Sequence, residues 1–300
     1  MDLMHPQLAA FLAVLDEGAF DAAANRLSVT PSAISQRIKA LEDRLGHVLV
    51  VRQLPCRPTP AGERLLRRVR PMETLEAEAI AEFDLAPGEG GVLAQRIPLA
   101  VNDDSVQTWF LSAMATLHHK HGFLFDLRVD DQDHTVELLR SGAVLGAVTS
   151  LSKAIQGCNV VPLVTMRYHA IASPEFARRH FPCKPDAASL ANAPLIVFNR
   201  KDELQWRYIR RITRAKLSPP VHYLPTTSGF VEAAALGLGW CMAPDAVIAP
   251  AVKAGRVVVI DKSQSLDVPL YWQYAAVRSE TLRQVTDTLR HAAARSLNGD

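Results

Sequence analysis

Three hundred residues are enough for two or three domains of ordinary size. A composition of 48% hydrophobic and 21% charged residues is that of a folded chain and excludes intrinsic disorder. Apolar runs such as 48–51, 143–148 and 257–260 fall far short of the roughly 18 residues that cross a bilayer, and residues 1–6 have no basic, apolar export signal. A cytoplasmic protein with no membrane partner is expected.

The net charge of +2 conceals an asymmetry. Residues 20–70 hold ten Lys/Arg against four acids, whereas residues 71–90 hold six acids and no Lys or Arg. Local positive charge belongs where phosphates are met. Cys56, Cys158, Cys183 and Cys241 are widely spaced with no C-x-x-C pair, so neither a disulfide framework nor a zinc site is expected.

Leu8, Phe11, Leu12 and Leu15 share one helical face, and Gly18 ends that helix. A short second helix turns Phe20, Ala23, Ala24 and Leu27 inward, its small pair allowing close helix crossing. Thr30 is an N-cap and Pro31 occupies the first helical position, where its missing N–H costs nothing. The third helix is expected to bury Ile34, Ile38, Leu41 and Leu45 and to stop at Gly46. Its other face carries Ser32, Ser35, Gln36, Arg37 and Lys39, hydroxyls and an amide that reach base edges and cations that reach bases or phosphates in a major groove.

Residues 48–51 read as a short strand and 52–58 as a basic wing. Thr59-Pro60-Ala61-Gly62 then opens a long amphipathic helix with Leu65, Leu66, Val69, Met72, Leu75, Ala79, Ile80 and Phe83 on its stripe. A lone helix of this kind must cover its stripe, most simply with a second copy of itself. Pro71 is expected to kink or divide it.

This order of elements resembles the LysR-type transcriptional regulators. The residues that carry the resemblance are Ala23-Ala24-Asn25-Arg26-Leu27, Thr30-Pro31-Ser32-Ala33-Ile34-Ser35, Ile38, Leu41-Glu42, Leu45-Gly46, Leu49, Arg52, Thr59 and Gly62. The resemblance implies DNA contacts from Thr30, Pro31, Ser32, Ser35, Gln36, Arg37 and Lys39, with Arg52 and Arg57 on phosphates beside the wing. It also implies homodimers and homotetramers on double-stranded promoter DNA, in reach of RNA polymerase.

The expected organisation is α/β and multidomain: a winged helix-turn-helix over residues 1–59, a linker helix over 60–85, a hinge over 86–94 and an effector domain over 95–300. In that last region strands and helices alternate, which predicts parallel sheets with crossover helices. The resemblance implies two lobes of the periplasmic-binding-protein kind, lobe I from 95–164 and 268–300 and lobe II from 165–267. Crossovers near 163–167 and 266–269 would join them.

Polar clusters follow the strands, where ligands bind in open α/β folds. Candidate effector contacts are Asn102, Asp103, Asp104, Ser105, Asp131, Asp133, Thr149, Asp202, Thr227 and Ser228. Together with Asp130 the acids suit a cationic ligand, an ammonium or guanidinium answered by aspartate. A closer likeness points the same way. Leu99-Ala100-Val101-Asn102-x-Asp104-Ser105, Trp109-Phe110-Leu111, Val129-Asp130-Asp131, Gly142-x-Val144-x-Gly146-Ala147-Val148, Phe181-Pro182 and Leu270-Tyr271-Trp272 resemble the ArgP/LysG branch. That branch controls export of lysine and arginine and responds to basic amino acids.

An enzyme is not expected. There is no Walker loop, no G-x-G-x-x-G after a strand, no H-E-x-x-H and no G-x-S-x-G, and aspartates alone are not a mechanism. No cofactor or metal is expected, because His118 and His121, one turn apart before Gly122, read as a wet helix end. An exported solute-binding protein would not carry Ser35-Gln36-Arg37 on a capped helix. A nucleoid-coating or replication-origin DNA binder, or a LysR-type regulator of another small effector, remains the alternative.

Overall fold

The computed structural model describes residues 3–83, 96–131, 133, 135–226 and 228–298. The hinge expected at 86–94 and Thr227 lie outside the described residues.

The head is built from α1 (Pro6–Glu17), α2 (Phe20–Arg26) and α3 (Pro31–Leu45). Phe11, Leu12, Val14, Ala23, Ala24, Ile34, Ile38 and Leu41 close one core. Thr30 Oγ1 accepts the Ala33 N–H at 3.2 Å, and Gly18 and Gly46 end their helices in the left-handed conformation. Leu45, expected inside, is 44% exposed on the last turn of α3, and Leu49 beyond the turn fills the core instead. The wing is a pair of two-residue strands, β1 (Val50–Val51) and β2 (Arg57–Pro58). The expected strand over 48–51 is shorter because the Glu42 carboxylate accepts the Leu49 N–H at 2.8 Å, satisfying a donor that a ladder would otherwise use.

Helix α4 (Pro60–Glu82) follows. Thr59 Oγ1 accepts the Gly62 N–H at 3.1 Å and donates to Val48 O at 2.7 Å. A side chain at Gly62 would stand 2.1 Å from Leu49 O, so the T-x-x-G pattern is a cap plus a close backbone approach. Pro71 does not divide the helix, which runs through it as one element. The first half packs into the head through Leu66 and Val69, while Met72, Leu75 and Phe83 farther along are exposed.

From residue 96 onward come β3 (Arg96–Val101), α5 (Asp103–Ser105), a π-helical turn (Val106–Phe110), α6 (Leu111–His121), β4 (Leu124–Val129), α7 (Thr135–Ser141) and β5 (Gly146–Thr149). The long strand β6 (Cys158–Ala172) leads to α8 (Pro174–His180), α9 (Ala187–Asn192), β7 (Leu195–Val197), α10 (Leu204–Ile212) and β8 (Val221–Tyr223). Then follow α11 (Phe230–Ala235), β9 (Cys241–Pro244), α12 (Asp245–Lys253), β10 (Val258–Val259), β11 (Leu266–Ala275) and α13 (Glu280–Asn298).

Strand β3 lies parallel between β4 and β5, as the alternation predicts, and β7 runs parallel to β8. The expectation of parallel sheets fails at the centre. Strands β6 and β11 are antiparallel to each other, and β6 pairs antiparallel with β9 and β10 as well. The reason is the crossover itself: the chain leaves one lobe along β6 and returns along β11, so the two must run in opposite directions. Trp272 on β11 lies against Gly146 on β5, where an added Cβ would meet the indole at 2.0 Å. One buried cluster containing Tyr168, Tyr208, Trp240 and Trp272 runs beneath both lobes.

Candidate DNA-reading helix and effector cleft

On α3 the spacing of Ser32, Ser35, Gln36 and Lys39 puts them on one face, away from Ile34, Ile38 and Leu41. Ser32, Gln36, Lys39, Thr30 and Pro31 are exposed, and Ser35 and Arg37 are half-buried. Arg52 and Arg57 are exposed on the wing, with the Arg52 guanidinium 5.0 Å from the Phe20 ring centroid. Thus the polar face of α3 and the basic wing are presented outward together.

Two cations of the basic segment are spent otherwise. Arg70 is 3% exposed and paired with Asp16 and Glu73. Arg26 meets Asp16 at 3.0 Å and Glu73 at 3.3 Å. Burial alone would raise the Asp16 carboxyl, but Arg70 and Arg26 outweigh it and hold the pKa below the usual carboxylate value. The cluster ties α1, α2 and α4 together and sets the direction in which the linker leaves the head.

The second site is a cleft lined by Asn102, Asp103, Asp104, Asp130 and Asp131 from the carboxyl ends of β3 and β4. Facing them are Phe198, Asp202, Leu204, Gln205, Phe230, Met242, Ala243, Pro244 and Val247. Five carboxylates face it, and no lysine or arginine is among its lining residues. Asn102 stands at the N-cap of α5 yet makes no capping bond. Its side chain is buried with neither amide nitrogen nor oxygen partnered within the chain.

The carboxylates are held in place. Asp104 Oδ2 accepts from the Tyr168 hydroxyl at 2.7 Å. Asp131 Oδ1 accepts the Asp133 N–H at 2.8 Å, and Asp130 Oδ1 accepts the Asp131 N–H at 2.8 Å. Asp202 accepts the Phe198 and Leu204 N–H groups, each at 3.0 Å. Burial pushes its carboxyl above the usual value, and those amides pull partly against that shift.

Of the other expected contacts, Asp133 is paired with Arg207 of α10 and with the Ser150 hydroxyl. Ser105 is fully buried, its hydroxyl 3.9 Å from Met166 Sδ, and Thr149 is fully buried on β5. Ser228 is exposed and shares a 2.7 Å hydrogen bond with Thr226. None of these four lines the cleft. Tyr168, Gln205 and Arg207 went unnoticed in the sequence, for reasons of distance along the chain; α10, which carries the last two, was itself not expected.

His118 is exposed at the end of α6, and its Nδ1 donates to Phe123 O at 3.0 Å. Among the described residues no group of three metal-ligating side chains forms, and no helix is long and apolar enough to cross a membrane.

A winged helix-turn-helix joined by a long helix to a two-lobed ligand cleft defines a DNA-binding regulator under small-molecule control. Residues 5–63 match the bacterial regulatory helix-turn-helix proteins of the LysR family, and residues 90–294 match the LysR substrate binding domain. The chain belongs to the LysR family of transcriptional regulators. It is 40% identical over 299 residues to the lysine export transcriptional regulatory protein LysG of Corynebacterium glutamicum, covering 98% of this chain and 99% of that one. The crystal structure of ArgP from Mycobacterium tuberculosis superposes with a TM-score of 0.82 at 45% identity, covering 98% of both chains. Full-length LysG from C. glutamicum with its effector Arg bound superposes with a TM-score of 0.72 at 38% identity, over 97% of this chain and 99% of that one. The chain is a regulator of the LysG/ArgP kind, and its relatives are not enzymes.

Proposed function

We propose that this regulator takes a basic amino acid, lysine or arginine with histidine as a third choice, between its lobes and controls the gene of a basic amino acid exporter from the cytoplasm. The carrying observation is a cleft with five aspartates and no basic side chain among its lining residues. A side-chain ammonium or guanidinium answers the carboxylates, and Asn102 offers a donor and an acceptor to the α-carboxylate and α-ammonium. The relatives named for lysine export and crystallised with Arg support this choice.

On DNA, Thr30, Pro31, Ser32, Ser35, Gln36, Arg37 and Lys39 read or flank the bases of a promoter, and Arg52 and Arg57 take phosphates. The exposed stripe of Met72, Leu75 and Phe83 supports pairing of α4 with a second copy, giving homodimers and, from these, homotetramers. Ligand acts by preferring one lobe arrangement, which alters the bend of the promoter presented to RNA polymerase.

Calorimetry of the full chain against the twenty amino acids tests the effector. Heat with lysine or arginine and none with neutral amino acids is expected; binding confined to a neutral or acidic one would refute it. The ratio of affinities for its own promoter over random DNA at fixed salt tests sequence specificity, and a ratio near one would favour an architectural role.

A further inference from the structure

One short helix joins the acidic wall of the cleft to the linker helix. Asp131 lines the cleft, and its carbonyl accepts the N–H of Thr135, the first residue of α7, at 3.0 Å. Thr135 is fully buried, and its hydroxyl donates to Val148 O at 2.6 Å, seating this end of α7 on the sheet. At the other end, the Ala143 N–H donates to Leu138 O at 2.9 Å and the Gly142 N–H to Leu139 O at 3.1 Å. Gly142 is left-handed at φ 79°, which completes a Schellman turn. Gly142 then meets α4 backbone to backbone: a Cβ there would stand 2.5 Å from Arg67 N and 2.8 Å from Arg67 Cα. Arg67 Nη1 donates to Arg140 O at 2.6 Å across the same junction. Farther along α4, Glu78 accepts the Ser279 hydroxyl at 2.6 Å and the Thr281 N–H at 2.8 Å, tying the linker to the start of α13.

We infer that α7 is the rod that carries cleft occupancy to the DNA-reading head, with Gly142 against Arg67 as its bearing. The inference rests on the cleft being the effector site. Seven residues give a rigid span of about 10 Å, one end hydrogen-bonded to Asp131 of the acidic wall and the other leading through Gly142 to the linker. A cation drawn to Asp131 moves the start of α7. The far end has no side chain to absorb the motion, and close-packed backbones do not compress, so the shift is delivered to α4. Helix α4 is bound into the head by Leu66, Val69 and the Arg70–Asp16 pair, so the head moves with it. The glycine is required twice over, by its positive φ and by the contact it makes.

The test uses the full chain, promoter DNA and L-arginine as the probe. Hydrogen exchange of α7 and α4 and the bend of the promoter are read with and without the probe, for the wild type, Gly142→Ala and Arg67→Ala. In the wild type, L-arginine alters exchange in both helices and changes the bend. Both variants are expected to bind L-arginine within about twofold of the wild-type Kd and to bind the promoter. In Gly142→Ala the exchange response should stop at α7 and the bend response should fall by about fivefold or more. Arg67→Ala, which keeps the backbone contact and loses only the bond to Arg140 O, should respond as the wild type does. Where Gly142→Ala fails to fold, the wild type decides: bound L-arginine that changes the bend while exchange in α4 stays unchanged overturns the rod. Wild-type responses of Gly142→Ala in α4 and in the bend, or their loss in Arg67→Ala, with binding intact, overturn the rod and its backbone bearing. A wild-type chain that binds no L-arginine overturns the effector reading itself, and this one with it.

Discussion

The buried hydroxyl of Tyr168 on the crossing strand β6 donates to Oδ2 of Asp104, 2.7 Å away at the head of α5. Burial, with Asp104 adding to it, pushes the phenol well above its usual pKa, so it stays a donor at every physiological pH. A hydrogen bond to a charged group is worth about 1.5–3 kcal/mol, and here it aims a carboxylate into the cleft. Tyr168→Phe should therefore weaken L-arginine binding by about tenfold, 1.4 kcal/mol, while operator affinity stays unchanged. Calorimetry and gel shift check both halves, and undiminished arginine affinity would show that Asp104 needs no such support.

Removing the charge goes further. Asp104→Asn or Asp131→Asn should abolish the response to lysine and arginine and leave operator binding intact, read by promoter transcription in vitro. Burial raises the Asp202 carboxyl above its ordinary 3.8, so it takes up a proton at a higher pH than an exposed aspartate does. Each protonation removes attraction for a cation. Effector affinity should thus rise with pH through that range and level off once Asp202 is ionised; a pH-independent isotherm would place the cation elsewhere.

The two kinds of contact on the head separate by their selectivity. Ser35→Ala and Arg37→Ala should each cost about 1–3 kcal/mol on the cognate promoter and relax preference at one position. Arg52→Ala should weaken all sequences alike and lower the slope of log affinity against log salt by about one. Titrations on cognate and scrambled DNA at several salt concentrations distinguish them.

Asp16 and Arg70 set the stability of the head. Asp16→Asn leaves a buried guanidinium with only Glu73, at a cost of about 3 kcal/mol in urea unfolding. The Asp16 carboxyl is held below its ordinary 3.8 in the folded chain. Its contribution is therefore fully present above about pH 5 and is lost as pH falls through the depressed value. The Asn variant should lack that part of the acid sensitivity, which urea midpoints across the acid range would reveal.

Gly62→Ala should destabilise the wing by about 3 kcal/mol, since its Cβ would overlap Leu49 O and force α4 away from the strand. DNA binding should fall with it. A variant of wild-type melting temperature would mean that the backbone yields there without loss.

The head was legible in the sequence because its signals are local. Thr30 caps three residues ahead, Pro31 opens a helix, Gly18 and Gly46 close theirs, and Ile34, Ile38 and Leu41 repeat at helical spacing. Thr59 and Gly62 act within one turn of each other. The aspartates after β3 and β4 could be placed at a sheet edge by the same local reading.

What only the tertiary structure decided lies between residues far apart along the chain. It buried Arg70 against Asp16, withdrawing a cation that composition assigns to DNA. It set Ser105 and Thr149 into the core, although their polarity suggests a ligand. It also brought Tyr168 to Asp104, Arg207 to Asp133 and Gly142 to Arg67. Periodicity and capping report which way a side chain faces relative to its own helix or strand. Which distant group it then meets depends on how the strands cross between lobes, and nothing within a few residues encodes that.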